Sequence, residues 1–308
     1  MSESGDHLLA NGKVVPFGEV VAALAHRSDS GSTTQSRALS ATIVAVGPDD
    51  LLSEAADALR GLGSHTAVRG ILISPGAESR PVPRLADDIV ALSGLKPAFI
   101  NNAVAALRLS SLPTIVWWRG GRTEMIAGLA RLADRVVLEG APLEVWPHAE
   151  SLFDEAAFSD LRWTRLTRWR TLMAHFFDVP EVRDAAPGFD RLRITGADGI
   201  AASLFAAWLA GSLGRAEKIE LEFVHATRGA FMEEVVFSGQ GEHEALVLRL
   251  ARSTACVLTT ATVRGHRGAT SAVALGNQSL AALMTEELRV RARDSAFEAA
   301  VRRFLGRS

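Results

Sequence analysis

The sequence predicts an α/β chain: an N-terminal Rossmann-like parallel-sheet domain without a nucleotide-binding loop, followed by an α+β C-terminal domain. Three observations carry that expectation. Between residues 41 and 140, short apolar runs alternate with amphipathic helical stretches, the pattern of a parallel sheet covered by helices. The first of these runs leads into VGPDDLL rather than a glycine-rich turn. Beyond residue 150, several strand-like runs follow one another with few helices between them, which points to antiparallel pairing.

Taken in order, residues 1–40 hold one helical pattern, Val14 to Ala25, and then RSDSGSTTQSR, whose Ser, Thr and Gly content reads as a flexible linker. ATIVAVG (41–47) is the first strand. PDDLLSEAADALRGLG then has an acidic first turn, helical apolar spacing and a terminal Gly. VRGILIS (68–74) is the second strand, and PAFINNAVAALRLSS a helix with Pro97 suited to its first turn. LPTIVWW (112–118), EMIAGLARLA and DRVVLEG (134–140) repeat strand, helix and strand. The stretch 141–160 carries Pro142 and Pro147 without a period, so the α/β domain is assigned to 41–150 and the α+β domain to 151–308. In the second part RLRITG and KIELEFV read as strands flanking an apolar helix over 199–213. AFMEEVVFSG, HEALVLRLA and ACVLTTATV are further strands, and QSLAALMTEELRVRA and SAFEAAVRRFL close as helices.

Composition narrows the function. The 308 residues carry 33 Lys+Arg against 35 Asp+Glu, a formal net charge of -2. The charge is even along the chain, with 13 basic and 16 acidic residues up to residue 150 and 20 and 19 beyond it. A nucleic-acid or anionic-membrane partner calls for a basic excess or stripe, so neither is expected. The most apolar charge-free run, GIAASLFAAWLAGSLG, has 16 residues, short of the roughly 20 that a span requires. MSESGDHLL has no secretory-signal pattern; a cytoplasmic setting is expected. The lone Cys256 excludes an internal disulfide and a Cys-based metal cage, and its run CVLTTATV predicts a buried thiol.

Catalytic signatures are missing. The sequence has no phosphate loop of the G-x-x-x-x-G-K-[ST] type, no G-x-S-x-G elbow and no H-E-x-x-H zinc helix. Asp49 and Asp50 open the helix after the first strand, where they favour the helix dipole and would repel a pyrophosphate. Glu242, His243 and Glu244 are neighbours in a strand-like context, so their side chains alternate between faces and read as a solvated cluster. FSGQGEHE reads as a hairpin turn. No catalytic residue, cofactor or metal is therefore predicted, and the chain is expected not to be an enzyme.

Two tryptophan-rich stretches stand out. LPTIVWWRGG places Trp117 and Trp118 on opposite faces of a strand, which fits two core residues. Arg119 follows at the strand's C-terminal end, where open α/β sheets place ligands. DLRWTRLTRWR (160–170) packs two of the six Trp and four Arg into eleven residues. On a helix Trp163, Leu166, Trp169, Met173 and Phe176 form one apolar stripe, with Arg162, Arg165 and Arg168 in a row beside it. That pattern fits either an amphipathic core helix or a protein contact surface, since Trp and Arg dominate binding hot spots.

DLRWTRLTRWRTLMAHFFD resembles the signature of the glucose-6-phosphate dehydrogenase assembly protein family, OpcA, with its Trp-Thr-Arg-Leu-Thr-x-Trp-Arg core at Trp163 to Arg170. LPTIVWWRGG, LADRVVLEG, SLFAAWLAGSLG and LAALMTEELRVRARDSAFEAAVRRF are similar to further family segments, in the same order. Arg168 stands where the family core carries Pro. The resemblance implies a non-catalytic assembly factor or allosteric activator that binds glucose-6-phosphate dehydrogenase and favours its active oligomer or conformation. It implies candidate partner contacts at Trp163, Arg165, Thr167, Trp169 and Arg170, with Trp118 and Arg119 added from the second stretch; these residues could equally hold the two domains together. Cysteine-based redox control, known for some members, is not carried over to a chain whose only cysteine is Cys256. Two alternatives stay open: an enzyme or sensor with a sugar-phosphate site near Arg119 and Arg122, and a general interaction module.

Overall fold

In a computed structural model of the protein the described residues are 12–29, 39–62, 66–76, 82–214, 219–226, 230–240, 245–263, 266–268, 270–290 and 292–306. The linker residues 30–37 and the Glu242–Glu244 cluster with the end of FSGQGEHE lie outside them. The elements run β1 (Lys13–Val14), α1 (Phe17–Asp29), β2 (Ala41–Val46), α2 (Asp49–Leu62), β3 (Val68–Pro75), β4 (Val82–Ala86) and β5 (Ile89–Leu95). Next come α3 (Pro97–Leu107), β6 (Thr114–Trp118), α4 (Glu124–Ala130), β7 (Arg135–Leu138), α5 (Trp146–Glu150), β8 (Ala157–Asp160), α6 (Leu161–Phe176) and α7 (Pro180–Ala185). Then follow β9 (Phe189–Gly196), α8 (Gly199–Ser212), β10 (Glu220–His225), β11 (Glu234–Gln240), β12 (Ala245–Ser253) and β13 (Cys256–Val263). The chain closes with β14 (His266–Arg267), β15 (Ser271–Ala274), α9 (Leu280–Arg289) and α10 (Ser295–Phe304).

Contacts divide the chain into two units. The first is Met1–Leu161 with Ser279–Asp294, and the second is Arg162–Gln278 with Ser295–Ser308.

The first unit is built on a sheet of order β1-β4-β5-β3-β2-β6-β7-β8. Six strands, from β5 to β8 in that order, are parallel, and β4 and β1 extend the edge antiparallel. The parallel part starts at β2, steps outward to β3 and β5, then crosses through α3 to β6 and steps the other way, so the order reverses between β2 and β6. This is the doubly wound topology that the alternation predicts. Every residue of β2, β6, β7 and β8 is buried, as it must be where helices cover both faces.

Three findings differ from the expectation. The first helix begins at Phe17 and runs through Arg27 to Asp29, with β1 before it. Residues 82–95, for which no element was expected, form the β4–β5 hairpin; Asp87, at its turn, takes a φ of 52°, a left-handed conformation for which Asp is better suited than most residues. The stretch 141–160 contains α5 and the sixth parallel strand, β8, rather than a bare connection. Its strand residues, AFSD, are too few and too mixed to show a period.

One core of this unit lies where Leu52, Ala55, Ala56 and Leu59 of α2 meet Ile43, Ala45, Leu72, Ile115 and Trp117. Leu283 and Met284 of α9 complete it; at about 1.5–3 kcal/mol for each large apolar side chain removed from water, they dock α9 firmly. A buried polar clip accompanies them. Arg135 of β7 pairs with Glu287 of α9 at 3.4 Å, and the Ser159 hydroxyl donates to Glu287 at 2.6 Å.

The second unit carries a sheet of order β10-β9-β11-β12-β13-β14, with β15 also on β13. From β11 onward it is antiparallel, as expected; β9 and β10, by contrast, are parallel. The helix α8 between them is the crossover that parallel neighbours require. α8 packs on β9 and β10 and against α10. Asp198 caps its N-terminus, its carboxylate accepting from the Ala201 N–H at 3.0 Å. Cys256, expected to be buried, is partly exposed at the start of β13, because the strand begins at the sheet's end rather than in its middle.

Candidate partner-binding site

The signature stretch becomes α6, and the stripe read from its spacing is the buried one. Trp163 and Trp169 are each 2% exposed, and Leu166 and Met173 are fully buried. The Trp163 ring packs at 5.6 Å from Phe297 of α10, tilted by 58°. The Arg170 guanidinium lies 3.5 Å from the centroid of the Trp163 ring and 5.9 Å from that of Trp208 on α8. Its Nη2 donates to the Thr167 hydroxyl at 3.3 Å. A cation over an indole face gains from the ring quadrupole, about 0.5–2 kcal/mol depending on solvation. Arg170 and Trp163 therefore form one stacked core feature with Phe297 and Trp208.

The rest of the row of arginines separates by position. Arg162 is buried and pairs with Asp198 at 2.7 Å, so a single carboxylate caps α8 and anchors the start of α6. Arg165 is half-buried, its guanidinium 5.6 Å from the Phe231 ring. Arg168 is exposed, as is Thr167 beside it. The outer face of α6 thus presents Thr167, Arg168, Ala174 and His175, with Arg165 at its margin.

Trp118 and Arg119 belong to the first unit, at the C-terminal end of β6. Trp118 is buried, and its indole N–H meets no hydrogen-bond acceptor. Arg119 is 5% exposed. Its guanidinium pairs with Glu54 at 2.8 Å and with Glu139 at 2.7 Å, donates to the Leu51 carbonyl, and lies 5.0 Å from the Trp117 ring centroid. Glu139 also accepts from the Trp117 indole N–H at 2.9 Å. A Cβ on Gly47, at the end of β2, would stand 3.1 Å from the Arg119 Cβ. Arg119 thus stands at the carboxyl end of β6, beside β2 where the strand order reverses, with its charge met by two carboxylates. Gly120 and Gly121 follow at φ of 147° and 116°, a turn that a side chain would strain.

Of the seven predicted contacts, then, Trp163, Trp169, Trp118 and Arg119 are core residues. Their apolar mass and paired charge are spent inside their own units. Arg165, Arg170 and Thr167 reach solvent in part or whole. Sequence reading missed Asp198, although Asp directly before an apolar helix is a cap signal, and missed Glu54, Glu139, Trp208 and Phe297, whose roles depend on distant chain segments meeting.

A cleft of about 290 Å³ lies between α3 and α4, lined in part by Pro97, Asn101, Arg122 and Glu124. Arg122, offered by the sequence as part of a sugar-phosphate site with Arg119, pairs instead with Glu124 at 3.4 Å, both exposed. Glu124 is held below the usual carboxylate range by its own backbone N–H and then by Arg122. Among the described residues no three of His, Cys, Asp or Glu converge as metal ligands, and no helix is long and apolar enough to cross a membrane.

Residues 156–301 match a family model described as the C-terminal domain of a glucose-6-phosphate dehydrogenase subunit. Over 138 residues the chain is 28% identical to an OxPP cycle protein OpcA of Synechocystis sp. (strain PCC 6803), covering 41% of this chain and 29% of that protein. Over 125 residues it is 30% identical to an OxPP cycle protein OpcA of Synechococcus elongatus (strain PCC 7942), covering 37% of this chain and 28% of that protein. The match thus spans under a third of the length of either relative. Among solved structures, the biliverdin reductase of Synechocystis sp. PCC 6803 aligns over 87% of this chain and 96% of its own, at 9% identity and a TM-score of 0.43, a likeness too distant to bear on activity.

Proposed function

We propose, from the premise that residues 156–301 belong to the OpcA family, that the chain is a non-catalytic partner of glucose-6-phosphate dehydrogenase in the oxidative pentose phosphate cycle. It binds the dehydrogenase in the cytoplasm and favours its active oligomer or conformation. The observation that supports this reading most is that the family match includes all of α6, whose signature residues form the stacked core around Trp163.

The contact is assigned to the outer face of α6, with Thr167 and Arg168 central and Arg165 and Arg170 flanking. Trp163 and Trp169 act as the packing that holds this face in shape. A protein that prefers one state of its partner shifts that state's population by its differential affinity, about 1.4 kcal/mol for each tenfold. Activation needs nothing more than such a preference.

The test is the rate of the same organism's dehydrogenase across glucose 6-phosphate concentrations, with and without this chain. A lower half-saturating concentration or a higher maximal rate is expected, lost in the Arg168→Glu variant with unchanged thermal stability. Absence of both activation and co-elution would overturn the reading.

A further inference from the structure

The second unit's sheet ends in a strand that its own helices leave half covered. β10, sequence ELEFVH, is paired on one side only: six residues run parallel to β9, from Glu220 beside Arg191 to His225 beside Gly196. Among the described residues no strand pairs its other edge. On one face Glu220 and Glu222 pair with Arg191 and Arg193 of β9, at 3.6 and 3.0 Å. On the other face Leu221 and Phe223 continue the row of Leu192 and Ile194, which are fully buried. α8 gives partial cover: the Phe223 ring lies 3.5 Å from where a Gly199 Cβ would stand. Leu221 and Phe223 therefore remain 41% and 38% exposed, on a strand with a free ladder edge. Such an edge is a template for another strand.

We infer that β10 is the interface of a homodimer, in which two copies of the strand pair antiparallel and join the two sheets into one. The choice of a second copy comes from charge and register. A partner strand must keep apolar residues on the Leu221 face, so for two identical strands the twofold axis passes through a residue. An axis through Glu222 or Leu221 sets glutamate against glutamate, which is unfavourable directly across a ladder. An axis through Phe223 sets Phe223 against its copy, Leu221 against His225, and Glu222 against Val224. No like charges meet, and both exposed apolar side chains are covered. Each glutamate keeps its own arginine. An axis through Val224 also avoids like charges, but it pairs fewer residues and leaves Leu221 beyond the end of strand pairing.

The test uses the full chain alone, without the dehydrogenase, so its outcome is separate from the partner reading. Sedimentation equilibrium is expected to show a concentration-dependent dimer, with F223K and L221E each weakening it about tenfold or more, equivalent to about 1.4 kcal/mol, while circular dichroism at 25 °C shows the fold intact. In a Cys256→Ser background, F223C is expected to give an oxidised covalent dimer. E222C is expected to give none, because its Cα would lie too far from its copy for a disulfide. A monomer at every concentration, a dimer untouched by both charge variants, or E222C cross-linking in place of F223C would each overturn the inference. So would a monomer whose F223K variant fails only to activate the dehydrogenase, which would hand the strand edge to that partner.

Discussion

Both units place an arginine against a tryptophan, and the two use it differently. In the first unit Arg119 lies 5.0 Å from Trp117 and is shut in by Glu54, Glu139 and the Leu51 carbonyl. In the second, Arg170 stacks 3.5 Å over Trp163 and remains half-exposed, bonded to the Thr167 hydroxyl of its own helix. A charge buried beside two carboxylates is committed to holding β6 against α2 and the end of β7. A charge laid over an indole at a helix surface holds its ring in place and still reaches water. The same pair of residue types is thus buried in one unit and partly open to water in the other, and Arg119 owes its burial to carboxylates that arrive from α2 and the end of β7.

Substitutions can break this comparison at several strengths. Arg119→Met is expected to cost the most, about 3–5 kcal/mol, because it strands the Glu139 carboxylate in a largely buried position. Chemical denaturation would measure it, and the double variant with Glu139→Gln is expected to lose clearly less than the sum of the two single losses. Trp163→Ala should cost about 3–5 kcal/mol as well, through the cavity left beside Phe297, seen as a lowered denaturation midpoint with a shift in tryptophan fluorescence.

Asp198→Ala removes a helix cap and leaves Arg162 without that carboxylate; about 2 kcal/mol is expected from the same denaturation curves. Arg170→Lys keeps the charge and loses the planar stack, so about 1 kcal/mol is expected. If Arg170→Lys proved as damaging as Arg119→Met, the contrast between a closed and an open arginine would fail. Arg168→Ala should leave stability within about 0.5 kcal/mol and yet reduce activation of the dehydrogenase, measured by co-elution and by rate.

Much of the fold is legible in the sequence. The β2–α2–β3 and β6–α4–β7 segments stand where the apolar runs and turn residues put them, because in these segments the local period and the tertiary environment agree. The short strand β8 was not readable. Four residues bounded by helices show no period, and only the empty place beside β7 makes them a strand. The α6 stripe was legible as a stripe, since helical spacing alone says which residues share a face; what that face meets, Phe297 and Trp208, lies on helices far along the chain. Cys256 was misjudged because an apolar run says nothing about how near its first residue lies to the end of a sheet.

By itself, then, the sequence determined the alternation of strands and helices, the absence of a glycine-rich ligand loop, the apolar stripe of α6 and the signature by which residues 160–178 resemble the OpcA family. These are properties of neighbouring residues and their periods, which the chain carries whatever it folds against. Tertiary structure alone decided that Arg119 is consumed by Glu54 and Glu139, that α9 completes a core of the first unit through Leu283 and Met284, and that no strand among the described residues pairs the outer edge of β10. Each of these depends on which distant segment fills a space or supplies a countercharge, and close packing gives that space to only one of them.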